Sequence, residues 1–270
     1  MVTHSHVRPR RSARRGSYAE VRERLDQVVA ELAARGRRQL PSEEDLSAYL
    51  GASRSTVRSA LMSLEQEGKL QRLHGLGTFV NRLALDVRAN IVQDRPFLDV
   101  LRALGHAATV SVMSMGEVDA PPDVLARLRL DGPARAWRIE RLWLASGTPA
   151  VFAIDYVPSG YLCVEPDPVS AGDSVFAFVS SNTDRSIRYS IAELIPTVPA
   201  EQVTRALNVP PGAAVLLLLH THVDHEDVPV AVTHAYLNDG IVRFSVVRQD
   251  LVTAVISEDE ERPWRLPDLP

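Results

Sequence analysis

The stretch SRSTVRSALMSLEQEGKLQRLHGLGTFV, residues 53–80, contains the pattern that decides the fold of the N-terminal part of the chain. Ser53 is a typical helix N-cap residue, and Val57 and Leu61 begin an apolar series at helical spacing. Gly68 stands where such a helix would end. The stretch therefore predicts an amphipathic helix that begins after Ser53 and ends near Gly68.

A hairpin after this helix and two helices before it complete the pattern. Two β-like segments flank His74–Gly77, whose glycines favour a tight turn at the tip. Upstream, Ser17–Glu20 has the sequence of a capping box and Ser42 precedes a run of acids, so each predicts a helix start. Three short helices followed by a hairpin is the order of a winged helix-turn-helix unit, which we predict for residues 17–80.

Charge is distributed unevenly along the 270 residues. Residues 1–80 contain 14 basic and 9 acidic residues, a net charge of +5, whereas the remainder carries 16 basic and 25 acidic residues, a net charge of −9. A basic N-terminal third on an acidic body predicts a polyanionic partner for that third alone. The alternative is a chance fluctuation of charge.

Composition excludes several classes of protein. Cys163 is the single cysteine, so no intramolecular disulfide can form, which fits a reducing cytoplasm. The longest apolar run, Ala213–Leu219, is far shorter than a membrane span, and residues 1–15 lack the apolar core of a secretory signal. Lys69 is the only lysine, and it lies in neither a Schiff-base nor a phosphate-loop context. We therefore expect a cytoplasmic protein without a membrane span.

The N-terminal motifs stand in a characteristic order: Leu40–Glu43, Leu46, Gly51, residues 53–58 and Gly75–Val80. Over about residues 18–80 they resemble the winged-helix domain of GntR-family transcriptional regulators. The resemblance implies binding to double-stranded DNA. The side chains and backbone expected at that interface are Ser53, Arg54, Ser55, Thr56, Arg58, Arg72, His74 and Gly75.

The residues themselves favour the same interface. Arg54 and Arg58 are four apart on a helix and so project from one face, where one can reach a guanine edge and the other a phosphate. Solvated arginines are the alternative interpretation, and helix capping is the alternative role for the hydroxyls. His74 at the wing tip is either a minor-groove contact or a plain exposed histidine. Glu44 departs from many relatives, which carry a DNA-contacting arginine there.

Outside the winged helix, the predicted organisation is a disordered basic arm at residues 1–16, a linker at 81–94, an effector-binding domain at 95–250 and an acidic tail at 251–270. The arm can track a phosphate backbone or remain a solvated tail. Helices interspersed with β-hairpins predict an α+β domain with an antiparallel sheet, in which Phe244–Val247 is the last strand.

The C-terminal part carries its own ordered motifs: Arg138–Leu142, Gly147–Pro149, Tyr156–Pro158, Glu193, Pro229-Val230 and Arg243-Phe244. Over about residues 95–248 they resemble the UTRA ligand-sensing domain of the HutC-type branch of the same family. The resemblance implies a chorismate-lyase-like fold that binds a small-molecule effector without catalysis, and a homodimer. Such a dimer is expected to repress from a near-palindromic operator and to be released by the effector, with activation as the alternative.

Three departures from that branch bear on the effector. Pro96–Leu98 offers no hydroxyl where sugar-phosphate-sensing relatives hold a phosphate, and Trp143 replaces the second of their two arginines, beside Arg141. Ala153, with Asp155 nearby, stands where they carry a glutamate. We therefore expect a planar or partly apolar effector, with a carboxylate at most, and not a sugar phosphate. The alternative is that Trp143 packs in the core and Arg141 pairs with an acid.

The expected effector-binding residues are Arg141, Trp143, Asp155, Arg188, Glu193, Thr233, His234 and Tyr236. Two other functions stay open. A metal sensor would use His220, His222 and His234, with His225 in a turn, although strand-surface histidines are the preferred explanation. A residual lyase-like activity would rely on Arg141 with Glu193, the only plausible charged pair. No cofactor and no structural metal is expected.

Overall fold

The computed structural model describes residues 17–87, 89, 91, 95–167 and 171–247. The predicted basic arm and acidic tail lie outside these residues. The described part of the chain forms two compact units, divided near residue 92, and residues 246 and 247 belong with the first of them. The observed architecture is α+β, as the sequence predicts.

The first unit is a winged helix-turn-helix. Its elements are α1 (Tyr18–Ala34), α2 (Glu43–Leu50), α3 (Arg54–Gln66), β1 (Leu70–Leu73) and β2 (Gly77–Val80). The two strands are antiparallel, with the first residue of β1 opposite the last of β2. The order of these elements confirms the winged helix-turn-helix fold predicted from residues 53–80.

Local capping explains where these helices begin. The Ser17 side chain accepts from the backbone of Glu20, whose carboxylate accepts in return from the Ser17 backbone. The Ser42 and Ser53 side chains cap α2 and α3 by accepting from the backbone N–H groups of Asp45 and Thr56, and Gly51 ends α2 in the left-handed conformation at φ 64°. The helices then bury one apolar core, made of residues such as Leu25, Val29, Leu46, Val57, Leu61 and Leu64.

The predicted linker begins with ordered chain. Residues Arg82–Asp86 form a 3-10 turn directly after β2. Asn81 precedes it, and its side-chain amide donates to the carbonyl of Gly68 at 2.8 Å. This hydrogen bond ties the start of the predicted linker to the end of α3.

The second unit is built on one antiparallel sheet of six strands in the order β3-β4-β5-β8-β7-β6. The strands are β3 (Ala108–Asp119), β4 (Arg135–Ala145), β5 (Thr148–Pro158), β6 (Tyr189–Thr197), β7 (Val215–Val223) and β8 (Pro229–Leu237). Ser146 and Gly147 join β4 to β5 with φ angles of 50° and 87°, as a tight two-residue hairpin requires.

Helices cover the sheet. They are α4 (Phe97–Ala103), α5 (Pro122–Leu128), α6 (Val175–Asn182) and α7 (Glu201–Leu207). Helices α5 and α7 bury apolar residues against one face, where Phe152 and Leu219 are part of the core. Helix α6 packs against Ile139 and Val157 on the other face. No helix in the described part of the chain is long and apolar enough to cross a membrane.

The prediction of a last strand at Phe244–Val247 is wrong. Within the described residues this segment has only a single-residue bridge, at Ser245. The chain turns away from the sheet after β8, because the backbone N–H groups of Ile241 and Val242 both donate to the carbonyl of Asn238, at 3.0 and 2.9 Å. The apolar pattern at 244–247 therefore does not reflect strand pairing.

Candidate DNA-binding surface and effector site

The start of α3 presents a cluster of small hydroxyl groups. The Ser53 hydroxyl accepts from the backbone N–H of Thr56 at 3.1 Å. It also lies 2.8 Å from the Ser55 hydroxyl and 2.7 Å from the Thr56 hydroxyl. Ser53 thus caps the helix, and Ser55 remains exposed at a helix N-terminus, where phosphate oxygens are favoured.

Three arginines lie next to this cluster, and each bonds to a carboxylate at the start of α2. Arg58 donates to Glu43, with its Nη2 at 2.7 Å, and Arg72 of β1 donates to the same carboxylate at 3.2 Å. Arg54 pairs with Glu44 at 2.6 Å. The Arg58 guanidinium is the main influence that holds the pKa of Glu43 below its usual range. The structure therefore brings Arg54, Arg58 and Arg72 to one exposed surface.

The wing tip is exposed and shaped by glycine. His74 and Gly75 are exposed, and Gly75 and Gly77 have φ angles of 76° and 119°, which side chains rarely adopt. The Gln39 side chain donates to the carbonyl of Leu76 at 2.9 Å and so steadies the turn. The tip is thus an exposed turn at the other end of the hairpin from the start of β1.

In the second unit, strand register decides which predicted residues meet. Asp155 is paired with Thr233, and Thr233 with His220, so these three lie on one face of the sheet. Arg141 is paired with Ala153, two residues from Asp155, and therefore shares that face. Trp143 follows Arg141 by two residues, so it faces the same way.

A buried chain of hydrogen bonds, the polar relay, crosses this face. Arg141 donates to Asp155, and the Thr233 hydroxyl donates to the other Asp155 oxygen at 2.5 Å. His222 Nε2 lies 2.9 Å from the Thr233 oxygen, and His222 Nδ1 lies 2.6 Å from the Ser190 hydroxyl. Since the Thr233 hydrogen is directed at Asp155, His222 Nε2 must carry the donor hydrogen and Nδ1 must accept from Ser190.

Burial sets the charge state along the relay. It lowers the pKa of His222 well below the ordinary value, and neighbouring His220 lowers it further, so His222 is neutral at pH 7. Burial also raises the pKa of Asp155, against the opposing effects of Arg141 and Thr233. Arg141 is fully buried with Asp155 beside it, and it also donates to the carbonyl of Ala171. Its charge is therefore neutralised within the protein.

The structure matches the alternative interpretation of these two residues: Arg141 pairs with an acid, and Trp143, which stands beside this pair, is buried in the core at 2% exposure. Its ring meets Phe97 of α4 edge to face, with the centroids 5.3 Å apart. Among the described residues, neither Trp143 Nε1 nor Arg141 Nε has a hydrogen-bond partner. Two buried donors on one sheet face thus have no acceptor among the described residues.

The other predicted effector residues lie elsewhere. His234 is paired with Leu219 and Leu219 with Glu193, which places these residues and Tyr236 on the face covered by α5 and α7. Glu193 bonds to Arg127 at 2.6 Å, and His234 lies 3.4 Å from Asp123. Arg188 is exposed, 3.8 Å from Asp227. The predicted pairing of Arg141 with Glu193 is wrong, because the two side chains are on opposite faces of the sheet.

The register also separates the histidines. The rings of His220 and His222 stack at 5.5 Å, but His234 is on the other face and His225 lies in the turn between β7 and β8. In the part of the chain that the structure describes, no group of three or more histidine, cysteine or acidic side chains can hold a metal ion. The alternative prediction of a metal site formed by His220, His222 and His234 is therefore wrong.

Two residues of the candidate sites, Ser190 and Glu43, are absent from the predicted sets. The sequence predicts no role for Ser190, and for Glu43 it predicts only an acid that favours a helix start. Alternation along β6 and β7 would have placed Ser190 beside His222, but only with their pairing known. Nothing local indicated that Glu43 contacts Arg58 and Arg72, which are 15 and 29 residues away.

Two family models match the chain. Residues 17–80 match bacterial regulatory proteins of the gntR family, and residues 103–239 match the UTRA domain. The chain is 27% identical to the transcriptional repressor NagR of Bacillus subtilis over 182 residues, which is 67% of this chain and 74% of NagR. It is 26% identical to the histidine utilization repressor of Pseudomonas aeruginosa over 205 residues, 74% of each chain.

Solved structures share the fold at lower identity. YydK of Bacillus subtilis superposes with a TM-score of 0.68 at 17% identity, covering 86% of this chain and 99% of YydK. PhnF of Mycobacterium smegmatis gives a TM-score of 0.52 at 20% identity, covering 85% of this chain and 99% of PhnF. At these identities the likeness shows a common fold and nothing further.

Proposed function

The chain belongs to the gntR family of bacterial regulatory proteins and carries a UTRA domain, and from this premise we propose that it is a ligand-responsive transcriptional repressor. The repressor is a homodimer that binds a near-palindromic operator and leaves it when a small-molecule effector binds. The exposed surface formed by Arg54, Arg58 and Arg72 is the observation that carries the DNA-binding part. Two copies of this surface in a symmetric dimer fit a two-fold operator.

At the operator, α3 acts as the recognition helix. Arg54 and Arg58 supply a bidentate contact to a guanine and a contact to a phosphate. The hydroxyls of Ser55 and Thr56 and the start of α3 favour phosphate oxygens, while Ser53 keeps its capping role. His74 and Gly75 enter the adjacent minor groove, and Arg72 contacts the backbone beside it.

The effector binds on the sheet face that carries Arg141, Trp143, Asp155 and Thr233. Trp143 stacks on the ligand, and the unpartnered Nε1 of Trp143 and Nε of Arg141 donate to its acceptor atoms. Because Asp155 already neutralises Arg141, a doubly charged phosphate would gain little there, which supports a planar effector that is not a sugar phosphate. The residues on the opposite face, Glu193, His234 and Tyr236, are not part of this site.

Effector binding releases the operator by shifting the population of states. A ligand that binds more tightly to one arrangement of the dimer favours that arrangement by the difference in affinity. The chain between β2 and α4 is the place where the two DNA-binding units can change their separation. This mechanism needs no covalent chemistry.

Three linked experiments test the proposal. In vitro selection from random duplexes with the full-length chain should recover a near-palindromic sequence, and anisotropy should show that it binds more tightly than a shuffled duplex. Affinity should fall steeply with salt, as phosphate contacts require. Sedimentation equilibrium should give the mass of a dimer. Failure to select any sequence would overturn the operator-binding function, and a monomer at micromolar concentration would overturn the two-fold arrangement.

A further inference from the structure

Glu43 lies where two of the DNA-facing elements meet. Its carboxylate accepts from Arg58 Nε at 3.0 Å and Nη2 at 2.7 Å, and from Arg72 Nη2 at 3.2 Å. Arg58 belongs to α3 and Arg72 to β1, so one carboxylate connects the recognition helix to the wing. The Glu43 side chain is 26% exposed, whereas that of Glu44 is 74% exposed and pairs with Arg54 alone.

The geometry leaves the outer edge of Arg58 available. A guanidinium has five N–H donors, and the side-on contact with Glu43 uses Nε and one hydrogen of Nη2. The remaining hydrogens on Nη1 and Nη2 form the end-on fork that matches two acceptors of a guanine edge or a phosphate. Arg58 can therefore keep Glu43 as a partner while it contacts DNA.

We propose that Glu43 is a positioning residue for sequence recognition, which fixes Arg58 and Arg72 relative to each other before DNA arrives. This inference rests on the proposed function, and it deepens it. An arginine loses much rotamer freedom when it is held in one geometry. Because Glu43 already holds the two arginines in the free protein, less of that freedom is lost when DNA binds. Glu43 also separates two positive charges that would repel each other in its absence.

The opposing expectation follows from charge alone. A carboxylate beside a DNA-binding surface repels phosphates, so its removal should tighten binding to every duplex alike. Glu44 provides the matched case, because it also stands in the first turn of α2 and pairs with one arginine on the same surface. Each substitution to glutamine removes one charge and the same favourable interaction with the helix start.

The test compares Glu43→Gln and Glu44→Gln in the full-length chain by anisotropy at fixed salt. The probes are the duplex selected with the wild-type chain and a shuffled duplex of equal composition. We expect Glu44→Gln to leave the ratio of the two affinities within about twofold of wild type. We expect Glu43→Gln to lower that ratio about tenfold, because Arg58 and Arg72 are no longer held.

A second variant separates position from charge and covers the case in which Glu43→Gln does not fold. Glu43→Asp keeps the charge but is too short to hold both arginines, so it should also lower the ratio, by about fivefold or more. An unchanged ratio in Glu43→Asp, or equal ratios in the two glutamine variants, would overturn the positioning role. If the wild-type chain selects no duplex, the proposed function fails, and the inference fails with it. If the chain selects a duplex, the variants test the role of Glu43 alone.

Discussion

Arg58 with Glu43 in the winged-helix unit and Arg141 with Asp155 in the sheet unit are both arginine–carboxylate pairs. The side chains of the first pair are 60% and 26% exposed, and those of the second are 0% and 3% exposed. An exposed pair gains little from its own attraction, and the side-on contact with Glu43 leaves the outer N–H groups of Arg58 available to DNA. A buried pair cannot lose one partner without leaving a charge uncompensated. We therefore expect the same chemistry to serve DNA binding in the winged-helix unit and stability in the sheet unit.

We expect the largest effect of a single substitution at the buried pair of Arg141 and Asp155. Asp155→Asn removes the negative charge with little change in shape and should lower the free energy of unfolding of the sheet unit by about 3–5 kcal/mol. The reason is that Arg141 would stay buried with an uncompensated charge. Urea unfolding followed by the fluorescence of Trp137 and Trp143, both in this unit, measures the change.

Two controls sharpen this result. The double variant Arg141→Met with Asp155→Leu removes both charges and should be more stable than Asp155→Asn alone. Glu201→Gln, which breaks an exposed pair with Arg205, should change stability by less than about 1 kcal/mol. If Asp155→Asn is as stable as Glu201→Gln, the contrast between buried and exposed pairs is wrong.

At the exposed pairs, loss of the arginine should lower the affinity for DNA and leave the fold intact. Arg58→Ala and Arg54→Ala should each reduce affinity for the selected duplex by about 1–3 kcal/mol, because each removes a base or phosphate contact. Anisotropy measures the affinity, and thermal unfolding checks the fold. Arg205→Ala, an exposed arginine of α7, should bind DNA like the wild type. Unchanged affinity in both Arg54→Ala and Arg58→Ala would remove α3 from the interface.

The effector response should depend on the indole donor. Trp143→Phe keeps an aromatic ring against Phe97 but removes Nε1, so the effector concentration for half-maximal release should rise about tenfold while DNA affinity without effector is unchanged. Trp137→Phe, on the same strand, is the matched control. A normal response in Trp143→Phe would show that the ring packs in the core without contacting the ligand through its nitrogen.

The smallest expected effect is on the pH dependence of stability. Because the pKa of His222 is lowered in the folded state, the unfolded chain binds a proton first as pH falls below about 6.5, and the sheet unit loses stability there. Between pH 7 and 5.5 this should amount to about 1 kcal/mol. The raised pKa of Asp155 acts in the opposite direction, so wild type must be compared with His222→Gln. Equal slopes in the two proteins would contradict a buried neutral histidine.

The two units also differ in how far the sequence predicted them. Ser17, Ser42 and Ser53 act on backbone groups within three residues, so the helix starts of the winged helix could be predicted from local pattern. In the sheet, a one-residue change of register moves a side chain to the other face. Local pattern could therefore not show that His234 faces away from His222.

The contacts within the candidate sites differ in the same way in how far the sequence predicts them. Arg54 and Arg58 could be assigned to one surface because helical spacing alone places them there. The contact of Arg141 with Asp155 could be predicted only with the pairing of β4 and β5 known. The contact of Glu43 with Arg72 could be predicted only with the position of the hairpin against α2 known. Contacts between distant segments are set by packing, which a single sequence does not reveal.

The proposed effector class is tested most directly by a release assay on the wild-type chain bound to its selected duplex. Anisotropy would be followed while sugar phosphates, and planar compounds that carry either no charge or a single carboxylate, are added one at a time at equal concentration. We expect that a planar compound releases the duplex and that sugar phosphates do not. Release by a sugar phosphate would contradict the assignment of Arg141 as already neutralised and of Trp143 as the ligand contact.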